Sequence, residues 1–256
     1  MTLSQFEKGQ AFRALHEGEP FVIPNPWDAG SAHALAKLGF EALASTSGGF
    51  AQTLGRSDGE VSLDEVVEHA RALDRATDLP VSMDLENGYG PAPADAALAI
   101  TSVAAAGAVG GSIEDWDRDG SFIYELDQAA ERVAATAEAA RALDFPFTVT
   151  ARAENHFRGN PDLDDTIRRL QVYEEAGADV LYAPGLRSDE EIRTLCAAVS
   201  KPVNVLAFPD MSMDRSAAAG AQRVSVGSWL AQVASRAALA AAGKIRESGD
   251  FSVLPR

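Results

Sequence analysis

Cysteine is almost missing from this chain: Cys196 is the only one in 256 residues. That excludes an intramolecular disulfide and any metal site built from cysteine alone. No stretch reaches the roughly 18 uninterrupted apolar residues of a membrane span. Met1–Gln10 lacks the basic-then-apolar order of a secretory leader. Positive charge is scarce, with 22 Lys and Arg against 38 Asp and Glu, a formal net charge of −16 at pH 7. Such a surface repels nucleic acid and anionic membrane, so neither is expected as a partner. A small anion is different, because a pocket can oppose the surface in sign. No Gly-x-Gly-x-x-Gly follows the first apolar run, which counts against a dinucleotide-binding sheet. What is present is ordinary: 46% hydrophobic and 23% charged residues, the composition of a folded globular protein. The cytoplasm is the expected compartment.

Short β-branched runs alternate with longer segments of helical periodicity. Eight runs are predicted as strands: Phe21–Asn25, Ala42–Ser45, Val81–Glu86, Gly110–Asp115, Phe147–Arg152, Asp179–Pro184, Pro202–Phe208 and Gln222–Val226. Ser62-Leu-Asp-Glu65 and Ser188-Asp-Glu-Glu191 read as capping boxes that open helices. Apolar stripes at helical spacing follow, Leu163, Ile167, Leu170 and Tyr173 in one helix and Ile192, Leu195, Cys196 and Val199 in another. Cys196 is therefore expected in the core. Gly39, Gly107, Gly177 and Gly220 each stand between a helical segment and a strand, where a left-handed residue closes a helix. With no Pro/Gly/Ser-rich linker, the pattern predicts α/β architecture in one domain over 1–256, a (β/α)8 TIM-type barrel over about 21–243. An extra N-terminal helix is expected over about 4–16, and an alanine-rich C-terminal helical segment over Ser228–Gly243.

In such a barrel the site lies at the C-terminal ends of the strands. Read in order, those ends supply Asn25, Trp27 and Asp28, then Ser45-Thr46-Ser47-Gly48-Gly49, then Asp84-Leu-Glu86, Glu114-Asp115, and Arg152-Ala-Glu154-Asn155-His156. Carboxylates from adjacent strands with one arginine opposite are costly to gather without a cation. Asp84 and Glu86, two apart on a predicted strand, should share a face. Oxygen ligands with retained waters suit Mg²⁺. Each feature also has a plainer reading: Asp84 and Glu86 as partners of Arg152, Ser45–Gly49 as an ordinary turn, Asp58 as a turn residue of Ser57-Asp58-Gly59. His156 follows the fifth strand and is the one histidine placed to reach the site.

The runs Ser45-Thr-Ser-Gly-Gly, Leu54-Gly-Arg-Ser-Asp58, Asp84-Leu-Glu-Asn-Gly-Tyr-Gly90, Ile113-Glu-Asp115 and Ala151-Arg-Ala-Glu154, in this order, resemble the isocitrate lyase/phosphoenolpyruvate mutase superfamily, from about Phe21 to Leu230. The resemblance implies a modified (β/α)8 barrel, a homo-oligomer (dimer or tetramer) with a helix exchanged between subunits, and a small-molecule carboxylate substrate. It further implies Mg²⁺, or Mn²⁺ in its place, with Asp84 as the direct or nearest ligand and Asp58, Glu86 and Glu114 holding the metal's waters. Backbone amides around Ser45, Thr46, Ser47 and Gly48 would bind substrate, and Arg152 would stabilise negative charge. Arg152, Asp58 and Glu114 are the residues to which the resemblance gives catalytic roles.

Two departures shape the expected activity. Lyase branches carry a Lys-Cys-Gly-His loop after the fourth strand, whereas Trp116–Tyr124 here has neither lysine nor cysteine. The mutase branch uses a lysine there and a histidine after the sixth strand, where this chain has Ala183-Pro184. The expectation is a Mg²⁺-dependent carbon–carbon lyase acting through an enolate on a small 2-oxo or 2-hydroxy dicarboxylate, of oxaloacetate decarboxylase type. The alternatives are P–C chemistry on phosphoenolpyruvate or phosphonopyruvate, a Mg²⁺ and 2-oxo acid binding protein without catalysis, and a phosphate-binding isomerase using Val226-Gly-Ser228.

Overall fold

Parallel neighbours cannot be joined by tight turns, so successive strands in one parallel sheet need crossovers, usually helical. The computed structural model describes Leu3–Pro255. Its strands are β1 (Phe21–Ile23), β2 (Leu43–Ala44), β3 (Val81–Asp84), β4 (Gly110–Glu114), β5 (Trp116–Asp117), β6 (Phe122–Ile123), β7 (Thr148–Arg152), β8 (Val180–Tyr182), β9 (Val203–Leu206) and β10 (Arg223–Ser225). The helices are α1 (Gln5–Leu15), α2 (Ala29–Lys37), α3 (Ser47–Thr53), α4 (Leu63–Ala76), α5 (Pro93–Ala104), α6 (Leu126–Arg141), α7 (Leu163–Glu175), α8 (Asp189–Ala198), α9 (Met213–Ala218) and α10 (Trp229–Ser248).

Eight strands form one parallel sheet in the order β1-β10-β9-β8-β7-β4-β3-β2, and each predicted run supplies one of them. β1 and β2 share no ladder, but the Ala44 N–H donates to the Pro24 carbonyl at 3.1 Å and Asn25 Nδ2 to the Ser45 carbonyl at 3.1 Å. Those bonds bring the two edges together, so the (β/α)8 architecture is nearly closed. The capping boxes at Ser62 and Ser188 are formed, and Gly39, Gly107, Gly177 and Gly220 all have positive φ. Cys196 packs against the core under α7 and α8. No described helix is long and apolar enough to cross a membrane.

Three elements differ from expectation. Trp116–Tyr124, read as a loop, folds as an antiparallel hairpin of β5 and β6. Ser47–Gly49 opens a short helix, because the Thr46 side chain caps it by accepting from the Gly49 N–H at 3.3 Å. α10 runs five residues beyond its predicted end at Gly243, to Ser248.

Two apolar layers hold the barrel, one built from residues such as Leu43, Leu73, Met83 and Ile100, the other from Leu170, Leu181, Ile192 and Val205. α1 closes the N-terminal end of the barrel, opposite the expected site. Its Phe12 is fully buried and meets His16 edge-on, with ring centroids 4.8 Å apart. Gly110 leaves room for that ring, since a Cβ there would stand 2.7 Å from Phe12 Cε1. Gln222 Nε2 ties the end of the plug down by donating to the carbonyls of Leu15 and Gly18, both at 3.0 Å.

Candidate active site

β3 ends at Asp84, and the chain then turns sharply. Glu86 has φ 52° and Tyr89 φ 66°, left-handed values that a non-glycine residue adopts only when its surroundings hold it there. What holds the turn is Arg132 of α6, one of the largest fully buried side chains. Its guanidinium donates to the carbonyls of Asn87, Gly90 (2.8 Å) and Ala92 (3.2 Å), and lies 4.6 Å over the Tyr124 ring. Asp84 and Glu86 therefore do not share one strand face, as the alternation argument expected. The left-handed turn sets Glu86 apart.

Asp84 faces a cavity of about 60 Å³ at the barrel mouth, which Asn25, Ser45, Thr46 and Arg152 also line. Its carboxylate accepts the Ser47 N–H at 3.1 Å, at the start of α3, and its own N–H donates to Ser45 Oγ at 2.8 Å. Of the expected amide donors, Ser45 is spent on the Ser82 carbonyl (2.8 Å) and Ser47 on Asp84. Thr46 and Gly48 keep N–H groups with no acceptor among the described residues. Asn25 Oδ1 accepts from Val226 at 2.8 Å and Gly227 at 2.9 Å. That occupies two of the amides a phosphate would use at Val226-Gly-Ser228, which counts against the phosphate-barrel reading.

Glu114 and Arg152 pair across β4 and β7. The Arg152 guanidinium lies 3.4 Å from Glu114, bonds Glu154, and stacks 5.2 Å over the Tyr182 ring. Arg158 joins them, 2.7 Å from Glu154 and 3.7 Å from Glu114. Burial pushes the Glu114 carboxyl well above the usual range against the pull of Arg152. Behind this group Asp115 accepts from the Glu154 N–H at 2.7 Å and from Tyr173 Oη at 2.5 Å, and pairs with Arg169 at 3.2 Å. Asp115 thus braces the rim from outside.

Glu86 is buried, and burial raises its carboxyl to about 7 although Arg118 opposes the shift. Arg118, from the β5–β6 hairpin, pairs with Glu86 and lies 4.0 Å from the more exposed Asp58. The other oxygen of Glu86, Oε1, is buried with no hydrogen-bond partner. An orphaned buried carboxylate oxygen beside Asp84 and Asp58 fits a hydrated, hard divalent cation. Among the described residues no three such ligands converge on one bare ion, so most contacts would pass through the ion's waters.

The structure thus gathers Asp84, Glu114 and Arg152 at the barrel mouth, with Glu86 and Asp58 beside them around Arg118. His156 turns away: its Nε2 lies 3.9 Å from Glu191 of α8. Arg118, Arg132 and Arg158 escaped the strand-end reading. Arg118 and Arg158 lie beyond the strands, and Arg132 reaches the site from the middle of a helix, so no local pattern marks them.

A profile of the phosphoenolpyruvate phosphomutase family matches residues 12–246. A solved structure from Burkholderia cenocepacia J2315, a protein with a provisional lyase/mutase assignment, superposes with a TM-score of 0.94 at 50% identity, covering 98% of this chain and 93% of that one. The 2-methylisocitrate lyase of Halalkalibacterium halodurans is 31% identical over 209 residues, 78% of this chain and 67% of its own. The oxaloacetate decarboxylase of Bradyrhizobium diazoefficiens is 29% identical over 214 residues, 78% of this chain and 73% of its own.

Proposed function

Because the chain belongs to the phosphoenolpyruvate phosphomutase family, within an enzyme superfamily that acts on small carboxylates, we propose that it is a Mg²⁺-dependent lyase that cleaves a carbon–carbon bond of a small 2-oxo or 2-hydroxy dicarboxylate, oxaloacetate foremost. The observation that carries this reading is the single cavity lined by Asp84, Thr46 and Arg152. It offers one negative, one hydrogen-donating and one positive wall to a substrate of a few carbons.

Asp84 would hold the ion directly, and Asp58, Glu86 and Glu114 would hold its waters. Mg²⁺, or Mn²⁺, would supply Lewis-acid polarisation of the substrate carbonyl. The N–H groups of Thr46 and Gly48 are free to donate to a substrate carboxylate. As the bond between C3 and C4 of oxaloacetate breaks, CO₂ leaves and the electron pair moves through C2 onto the carbonyl oxygen, giving the enolate of pyruvate. Arg152, fixed by Glu114 and Glu154, would stabilise that growing charge more than the ground state, and this difference is what accelerates a reaction. Water returns a proton to C3.

P–C bond chemistry is less well served. A transferring phosphoryl group wants several cationic clamps, yet of Arg118, Arg152 and Arg158 only Arg152 lines the cavity, the other two being turned to Glu86, Glu114 and Glu154. The hairpin also brings no lysine or cysteine to donate a proton. The test is product release with and without Mg²⁺ on oxaloacetate, 2-methylisocitrate and phosphonopyruvate. Metal-dependent pyruvate release from oxaloacetate, without useful cleavage of 2-methylisocitrate, is the expected result. Phosphate release from phosphonopyruvate as the dominant activity would overturn the reading.

A further inference from the structure

Arg118 has no part in the reaction just described, yet it sits in the acidic cluster that the reaction needs. Its guanidinium pairs with Glu86 and lies 4.0 Å from Asp58. Its seat is shaped for it: a Cβ on Gly59, which has φ +93°, would overlap the guanidinium. Bare backbone at that position is what lets the arginine lie flat. The hairpin that carries Arg118 is tied to the protein at its base and open to solvent at its tip. At the base, Asp117 accepts from the buried Tyr124 hydroxyl at 2.9 Å and Trp116 lies 4.6 Å under Arg158, while across the turn Asp117 also accepts from the Gly120 N–H at 2.8 Å. Asp119, Gly120, Ser121 and Phe122 at the tip are exposed. Among the described residues, the ion pairs of Arg118 are the ones joining this tip to the barrel rim.

A buried carboxylate next to two others requires a cation nearby. A guanidinium meets that requirement, and so does a hydrated divalent ion, but like charges crowded on one carboxylate repel. A guanidinium also keeps its proton at any ordinary pH, so deprotonation cannot vacate the seat. A second cation that takes over the carboxylates can.

We propose that Arg118 is the resident counter-cation of the metal-free site, competing with Mg²⁺ for Glu86 and Asp58, so that metal entry frees the hairpin tip from the rim. This rests on the reading of the acidic cluster as a Mg²⁺ site and adds how that site is regulated. Apparent affinity falls by the fraction of molecules whose site is open. If the open fraction is about one in ten, removal of Arg118 tightens Mg²⁺ binding about tenfold.

The experiment needs no turnover. Mg²⁺ is titrated calorimetrically into the full chain and into Arg118→Gln, and amide hydrogen exchange of Trp116–Ile123 is followed in both with and without Mg²⁺. The expected result has three parts: about tenfold tighter binding by the variant, faster exchange at the wild-type hairpin tip when Mg²⁺ is added, and fast, metal-insensitive exchange in the variant. A mere loss of positive charge would tighten binding in the variant without any effect of Mg²⁺ on the wild-type hairpin, and that outcome overturns the proposal. So do equal affinities, or a hairpin that Mg²⁺ protects. If neither protein binds Mg²⁺, the metal-site reading itself falls and the competition falls with it.

Discussion

At the scale of single residues, the arginines decide most of what can be tested. Arg152 is held between Glu114 at 3.4 Å and Glu154, over the face of Tyr182. Arg152→Lys keeps the charge but loses the planar fork that meets two carboxylates and a ring at once. If Arg152 faces developing charge, kcat on oxaloacetate should fall about 10²–10³-fold, as on loss of one oxyanion donor, with a melting temperature near wild type. A lowered melting temperature with unchanged kcat would make it a structural counter-ion instead. Arg132 is the contrasting case, because its partners are the carbonyls of Asn87, Gly90 and Ala92 and no acid pairs with it among the described residues. Arg132→Met leaves those carbonyls unmet and should cost about 2–4 kcal/mol in urea unfolding. Because the turn it holds carries Glu86, Mg²⁺ affinity should weaken as well. A variant of unchanged stability would show that water satisfies the turn without it. These roles are unequally visible in local sequence. Asp84, Glu114 and Arg152 stand out as polar residues ending apolar runs, whereas Arg118 acquires its meaning only from folding back onto Glu86, and Arg132 looks like any helix-surface arginine until α6 packs.

At the scale of elements, local chemistry was the readable part. The serine–glutamate boxes at Ser62 and Ser188 and the glycine stops before four strands are signals of a few residues, and all of them hold. The β5–β6 hairpin gave no such signal. Its strands are two residues each, and Tyr124, Asp117 and Asn87 pin it through side chains far apart in the chain. The N-terminal plug is the element whose chemistry is open to acid. Burial, aided by the neighbouring Arg223 charge, lowers the His16 pKa from 6.5 to about 3. His16 Nδ1 faces the Phe12 carbonyl at 2.8 Å, so Nδ1 carries the proton and Nε2 accepts from Arg223 at 3.1 Å. The unfolded chain binds a proton below pH 6.5 that the folded chain refuses until about pH 3. The stability tied to neutral His16 is therefore whole above pH 6.5 and is lost as pH falls through that window. His16→Gln should flatten the acid limb of stability by up to about 1.4 kcal/mol per pH unit, measured by urea unfolding at several pH values. Parallel limbs would mean that water reaches the histidine. On the same helix, a Cβ at Gly9 would run into the Pro146 carbonyl. Gly9→Ala should cost about 1–3 kcal/mol by forcing α1 off the barrel, read as a lower melting temperature.

For the whole molecule, α10 leaves unusual apolar area uncovered. Val233 is 61% and Leu239 69% exposed, with Trp229, Phe251 and Leu254 also open. On the barrel side an apolar groove of about 500 Å³ runs past Trp27, Phe50, Leu54 and His69. Surfaces of this kind mark association sites, and a dimer or tetramer is the expected form in sedimentation equilibrium. Joint Val233→Glu and Leu239→Glu substitution should return the 26.9 kDa monomer, whereas a monomeric wild type would end the idea. With −16 on each chain, added salt should strengthen the assembly by screening repulsion. The seating of the plug carries a consequence of another kind, in time rather than space. Phe12 and His16 are made first, but the partners that anchor their helix include Gln222 and Arg223. At about 5–20 residues per second, a ribosome needs about 10–40 s to travel from one to the other. Through that interval the nascent chain holds a half-built cylinder whose first strand lacks its ladder partner, β10. Ala42, Val109 and Phe145 can begin to cover Phe12 and Phe21 during those seconds, but the seat of the plug is finished only when Gln222 and Arg223 arrive, so the N-terminal end of the barrel is the last part of the molecule to be sealed.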